Sequence, residues 1–136
     1  MTKWRGGDSL WGMEETFYDS SAGQLMVRNV RREDIPVLIE IYSRAFPSLL
    51  ETDDLWEPEQ LQSHLDLFPE GQFIAELDGE IVGAASSLIV NLGKDPLRPH
   101  TYYGITDVGY FYNHDAQGDT LYGADVYVDP KVQRGG

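Results

Sequence analysis

The side chains able to move a proton or hold a charge are few and scattered along this chain. It contains no cysteine, which removes thiolate chemistry, disulfides and cysteine-based zinc sites together. Ser43, Ser86 and Ser87 have no His and Asp partners in a recognisable motif, so a hydrolase triad is not expected. His64, His100 and His114 lack the paired spacing of metal ligands, and no metal site is expected. His114 stands beside Asp115 in a polar stretch, where an imidazole either shuttles protons near neutral pH or simply hydrogen-bonds its neighbours. Asp119 and Asp125 are further carboxylates near the last apolar run. Asp125 lies inside that run. If buried it needs a partner, but by alternation with Ala124 and Val126 it points to solvent, and both readings stand at this point. Tyr102, Tyr103, Tyr110, Phe111 and Tyr112 either line a pocket for a cation or pack as core.

The elements that must position these residues belong to a chain of about one domain, 136 residues, with enough apolar content for a core. Residues 24–30 form a short run of strand formers. A helix is predicted over 34–46. Glu33 and Asp34 favour its N-terminal dipole, Pro36 suits its first turn, and Ile35, Leu38, Ile39, Tyr42, Ala45 and Phe46 make one apolar face that Pro47 ends. A second helix is predicted over 58–68, with Leu61, Leu65 and Phe68 on its buried stripe and His64 on its surface. Strands over 72–77 and 80–90 flank Asp78-Gly79, a pair suited to a tight type I′ turn. The stretch 91–118 is broken by glycines and prolines, with a strand expected near 110–112. The last strand, 120–128, stops at Asp129-Pro130.

Residues 1–24 read as an extended arm, and 25–136 as the domain proper. Trp4, Trp11, Phe17 and Tyr18 are expected to pack on the domain or on a neighbouring subunit. The net charge of −13 argues against a nucleic-acid partner, which needs a clustered basic face; it suits cationic ligands or plain solubility. No apolar run approaches a membrane span and no signal-peptide pattern opens the chain, so neither membrane nor secretion is expected and a cytoplasmic location is.

The last residues sharpen this picture. Val128-Asp129-Pro130-Lys131-Val132-Gln133-Arg134-Gly135-Gly136 resembles the signature of GNAT-superfamily N-acetyltransferases, a strand ending in Val-x-Pro followed by Gln/Arg-x-x-Gly-x-Gly/Ala. Gln133 matches the first position of the loop and Gly136 its first glycine, and the likeness extends back to about Met26. It implies a partial GNAT fold of the α/β (α+β) class, a mixed, mostly antiparallel sheet with helices packed on it. It also implies acetyl transfer from acetyl-CoA to a primary amine, on a small molecule or a peptide, by direct attack. By the same resemblance the main chain near Val126 and Val128 holds the pantetheine arm, and Gln133, Arg134, Gly135 and Gly136 cradle the pyrophosphate. Glycines let backbone N–H groups approach such an anion, and a following helix points its positive end at it. That helix lies beyond the sequence, so the chain alone is expected to bind the cofactor weakly, to be inactive and to self-associate as a homo-oligomer along an uncovered strand edge.

Tyr122 falls where many members of the family carry a glutamate, a departure that leaves the base open among Tyr122, Asp125 and His114, with Asp119 beside them. By family analogy the acidic segment 51–54 is either a solvated loop or part of the acceptor rim. The stretch His114-Asp115-x-x-Gly118-Asp119-Thr120-Leu121-Tyr122-Gly123 is similar to the acetyltransferase portion of bacterial proteins that continue into a carbon–nitrogen hydrolase domain. The rival functions are a non-catalytic binding or regulatory module with a partial GNAT fold, and an unrelated small-ligand sensor.

Overall fold

A computed structural model of the chain describes residues 3–5, 15–20, 23–52, 55–93 and 100–133. Its centre is a six-stranded sheet in sequential order, β1 Lys3–Arg5, β2 Thr16–Ser20, β3 Gly23–Asn29, β4 Gln72–Leu77, β5 Glu80–Val90 and β6 Thr120–Val128. All five pairings are antiparallel. The run read as the first strand is therefore the third, and the stretch read as an arm supplies two strands to the same sheet. Phe17 and Tyr18 of that stretch pair with Met26 and Leu25, while Trp11 lies outside the described residues.

Between β3 and β4 the chain makes α1 Ile35–Ala45, α2 Pro47–Thr52 and α3 Pro58–Leu67, close to the two helices expected from periodicity. Pro47 does not simply stop α1. The chain breaks at Phe46 (φ −130°), and Pro47 opens α2, because a proline is tolerated in the first turn where its missing N–H has no role. The start of α1 is anchored by Asp34, whose carboxylate takes two hydrogen bonds from the buried Arg28 guanidinium (2.8 and 3.0 Å) and one from the Arg31 N–H (2.7 Å). Burial pushes the Asp34 carboxyl up, but these donors outweigh it and hold it below the usual carboxylate range.

Asp78 (φ 50°) and Gly79 (φ 86°) form the β4–β5 turn with the two left-handed residues a type I′ turn requires. The helices lie on one face of the sheet over a core built from Leu38, Ile41, Ile74, Leu88 and Phe111, each at most 2% exposed. Burial of such side chains stabilises the fold by about 1.5–3 kcal/mol each. The segment 100–119 departs most from expectation. No strand forms at 110–112; instead a short helix, α4 Tyr102–Thr106, leads into tight turns, and Phe111 is fully buried with φ 64°. After β6 a last helical turn, α5 Pro130–Gln133, begins at Pro130. Among the described residues no helix is long and apolar enough to cross a membrane.

Candidate functional site

The chemistry of this fold collects where β6 is irregular. Ser86 of β5 pairs with Asp125 while Ser87 pairs with Gly123, so Ala124 is an extra residue on β6, a β-bulge. Cross-strand partners share a face, and Ala84, Ser86 and Leu88 all face the helices. Their partners Tyr127, Asp125 and Tyr122 must therefore face the helices too. Unbroken alternation cannot put both Tyr122 and Tyr127 inside, and the bulge reconciles them by turning Asp125 inward and Val126 outward. Val126 is 72% exposed. Bulges re-aim side chains in this way beside functional sites. The reading of Asp125 as a solvent-facing residue is thus corrected by one inserted residue.

Asp125 forms the floor, with Ala124, of an open hollow of about 240 Å³. Tyr42 of α1, Phe46 at the break after it and Leu49 of α2 make one wall; Trp56 and the α4 residues Tyr102 and Tyr103 make the other. The rings are locked on one another: Tyr42 lies 5.0 Å from Tyr127, 5.0 Å from Phe46 and 5.5 Å from Trp56 between ring centres. Burial pushes the Asp125 carboxyl above its ordinary value, although the Tyr42 hydroxyl and the Val126 N–H favour its charged form. The effect is returned to the tyrosines. Burial, and then the Asp125 charge, push the Tyr42, Tyr102 and Tyr127 hydroxyls far up, so all three stay protonated as neutral donors. A half-desolvated carboxylate ringed by neutral phenols is built to take a proton from a cation or to hold one.

The α4 wall is held by a device that sequence reasoning missed. Gln60, Ser63 and His64 lie three and four residues apart on one face of α3 and reach three successive carbonyls. Gln60 Nε2 donates to Val108 O (2.9 Å), Ser63 Oγ to Tyr110 O (2.6 Å), and His64 Nε2 lies 2.7 Å from Gly109 O. His64 is therefore not on the helix surface, as its place in the pattern suggested, but 1% exposed and stacked 3.6 Å from Phe111. Burial lowers its pKa to about 4, which keeps the ring neutral with a proton on Nε2 for the carbonyl. Thr106 closes the loop, donating to Tyr102 O (2.7 Å) and accepting from Gly109 N–H (3.1 Å). The grip holds the strained residues Asp107, Val108 and Phe111 at positive φ. The i, i+3, i+4 polar spacing on α3 was the available signal.

Other residues singled out from sequence fall elsewhere. His114 does not reach the hollow. Its Nδ1 accepts the Ile89 N–H (3.0 Å) and its ring stacks on Phe68, and burial lowers its pKa. Asp119 accepts the Leu92 and Gly93 N–H groups (3.0 Å each) and the Thr120 hydroxyl, which holds a turn. Tyr122 is half-buried beside Leu88, edge-on to His100, and does not line the hollow. Tyr110 and Tyr112 stack on each other away from it. Val126 and Val128 lie on β6, the last strand of the sheet order. Asp129 anchors the next turn: it accepts Lys131 N–H (3.1 Å) and pairs with Arg44 of α1 (2.7 Å). Gln133 ends α5, and Arg134, Gly135 and Gly136 lie outside the described residues. Among the described residues no cluster of three metal-ligating side chains forms.

The profile of the Acetyltransferase (GNAT) family matches residues 35–136. Two Bacillus subtilis (strain 168) proteins are similar to this chain. The probable hydrolase YhcX is 42% identical over 111 residues, 82% of this chain and 21% of that protein. The uncharacterized N-acetyltransferase YkwB is 38% identical over 110 residues, 81% of this chain and 48% of that protein. Among solved structures, the loading GNATL domain of CurA from Lyngbya majuscula superposes with a TM-score of 0.63 at 24% identity, over 80% of this chain and 50% of that one. The GphF GNAT-like decarboxylase in complex with isobutyryl-CoA does so with 0.63 at 23%, over 79% and 50%. At that identity the structures bear on fold alone. The chain thus spans half or less of the length of each of these relatives.

Proposed function

From a chain that belongs to the Acetyltransferase (GNAT) family, we propose acyl transfer from acetyl-CoA to a primary amine, with Asp125 as the base that frees the amine. The observation that carries the reading is the bulge at Ala124, which aims an uphill-shifted carboxylate into a pocket open to a small molecule. The amine enters as the ammonium ion and gives one proton to Asp125. Its lone pair attacks the thioester carbonyl carbon, the N–C bond forms and the C–S bond breaks. Coenzyme A leaves as the thiolate and takes the second nitrogen proton, while Asp125 returns the first to solvent. Of the three base candidates, Asp125 alone lines the hollow, and His114 is committed to the Ile89 N–H.

Acetyl-CoA supplies the activated thioester. A place for such a group is supported by β6, the last strand in the sheet order, whose outer side carries no further strand among the described residues, so an extended arm can add to it near Val126. The anchoring of Pro130–Gln133 by Asp129 supports a role at the pyrophosphate for Gln133 and the following residues 134–136. The same reading keeps the homo-oligomer expectation. Leu121 (67% exposed) and Val126 stand bare on the face away from the helices, and sedimentation of the wild type against Leu121→Glu tests it.

The decisive experiment is release of free thiol from acetyl-CoA in the full-length protein, measured across a panel of primary amines. Amine-dependent thiol release that Asp125→Asn abolishes supports the assignment. Release independent of amine, or unchanged in Asp125→Asn, overturns it.

A further inference from the structure

The hollow that holds Asp125 also limits what can enter it, and we infer that its acceptor is a small primary monoamine with an apolar alkyl or aryl-alkyl body. This rests on the reading of Asp125 as the transfer site and goes on to name the substrate class.

Charge complementarity comes first. Asp125 is the single charged side chain lining the hollow among the described residues; everything else there is a ring, Leu49 or Ala124. A carboxylate at the floor selects one cation. Aromatic faces around it add attraction for the same cation and cover an apolar body, and such contacts strengthen when water is excluded. Among the described residues nothing charged is left for a second ionic group. A free amino acid would place its own carboxylate beside Asp125 with no cation to meet it among the described lining residues. Arg44, the nearest candidate by sequence on α1, lines a different groove and is tied to Asp129. A polyamine would bring a second ammonium that meets no second carboxylate among the described lining residues, so it gains no second ion pair there.

Size comes next. A hollow of about 240 Å³ lies below the roughly 300–1,000 Å³ of sites that take drug-sized ligands. It suits one small body at the amine end, and anything larger stays outside in solvent. The rim supplies a residue that can be changed safely: Tyr103 is 52% exposed and packs edge-on to Tyr102, so its loss leaves the core intact.

The experiment compares 2-phenylethylamine and n-hexylamine with phenylalanine and spermidine, as acceptors of the acetyl group from acetyl-CoA and as ligands in calorimetric titration. The expected result is kcat/KM at least 10-fold higher for the two monoamines than for either competitor. Tyr103→Ala should raise KM for 2-phenylethylamine about 3- to 10-fold with kcat nearly kept, and Tyr103→Phe should restore it because the π-face remains. Saturable binding of 2-phenylethylamine that Asp125→Asn weakens, with no transfer to any amine, would uphold the pocket and sink the transfer chemistry. Asp125-dependent transfer that is fastest to phenylalanine or spermidine would uphold the chemistry and overturn this inference. Absence of both binding and transfer for the monoamines would overturn it too.

Discussion

Asp125 combines two properties that ordinarily conflict, burial and charge, and each has a measurable consequence. As a base it must be ionised, and burial holds its pKa above the ordinary carboxylate value. The acid limb of kcat/KM should therefore lie at higher pH than an exposed aspartate would give. Asp125→Asn should lower kcat/KM by about 10²–10⁴, the usual worth of a positioned base, while Asp125→Glu keeps part of it. Stability moves the other way. A carboxyl whose folded pKa is raised contributes stability below its unfolded pKa of 3.8, and that contribution is lost as pH rises through the folded value. At pH 7 the ionised group is a burden, so Asp125→Asn should unfold at a higher Tm than wild type. A lower Tm would show that the Tyr42 and Val126 contacts outweigh the desolvation.

The element that decides the site's shape is the grip of α3 on the segment that follows α4. His64 is central to it, with a folded pKa of about 4 against 6.5 when exposed. Because the folded pKa is lowered, its contribution is whole above pH 6.5 and is lost as pH falls towards 4. The shift corresponds to about 3 kcal/mol. Urea unfolding at pH 7 and pH 4.5 should show this loss, and His64→Phe should flatten the slope. Two neighbouring substitutions should act in opposite directions. A Cβ on Gly109 (φ 81°) would come within 2.7 Å of Gln60 Nε2 and 3.2 Å of Trp56 Nε1, so Gly109→Ala should cost about 1–3 kcal/mol and loosen the Tyr102 wall. Val108 is β-branched at φ 56° and exposed, a conformation that costs a branched side chain about 1–2 kcal/mol. Val108→Asn should therefore raise stability by about 1 kcal/mol in the same denaturation assay.

Over the whole molecule the charge of −13 surrounds a hollow whose lining carries one carboxylate among the described residues. A field of that sign raises the local concentration of an ammonium substrate and is screened over about 8 Å at physiological salt. Raising ionic strength from 20 to 300 mM should thus lower kcat/KM for a cationic amine several-fold, mostly through KM. An unchanged KM would mean that recognition is confined to the contacts inside the hollow. The buried Arg28–Asp34 pair, with Glu76 3.6 Å from Arg28, works at the same scale. It ties β3, β4 and the start of α1 together, and so fixes the helix that carries Tyr42 over the sheet that carries Asp125.

Some of this was legible in the residues alone because its causes are local. Asp78-Gly79 carries its own turn chemistry, the helices near 35–45 and 58–67 announce themselves by apolar spacing, and 120–128 reads as a strand from its composition. The terminal Val128-to-Gly136 pattern carried the family resemblance for the same reason, since it is contiguous. What the tertiary structure decided depends on partners far along the chain. Asp125 turns inward only because β5 and β6 pair across an extra residue, and no window of β6 by itself contains that register. His64 is buried by residues 45 and 47 positions away, Gly109 and Phe111, so a helical pattern that counts only near neighbours puts it outside. The turns at 107–111 follow no local propensity. They persist because α3 holds their carbonyls, and that hold is what raises the aromatic wall above Asp125.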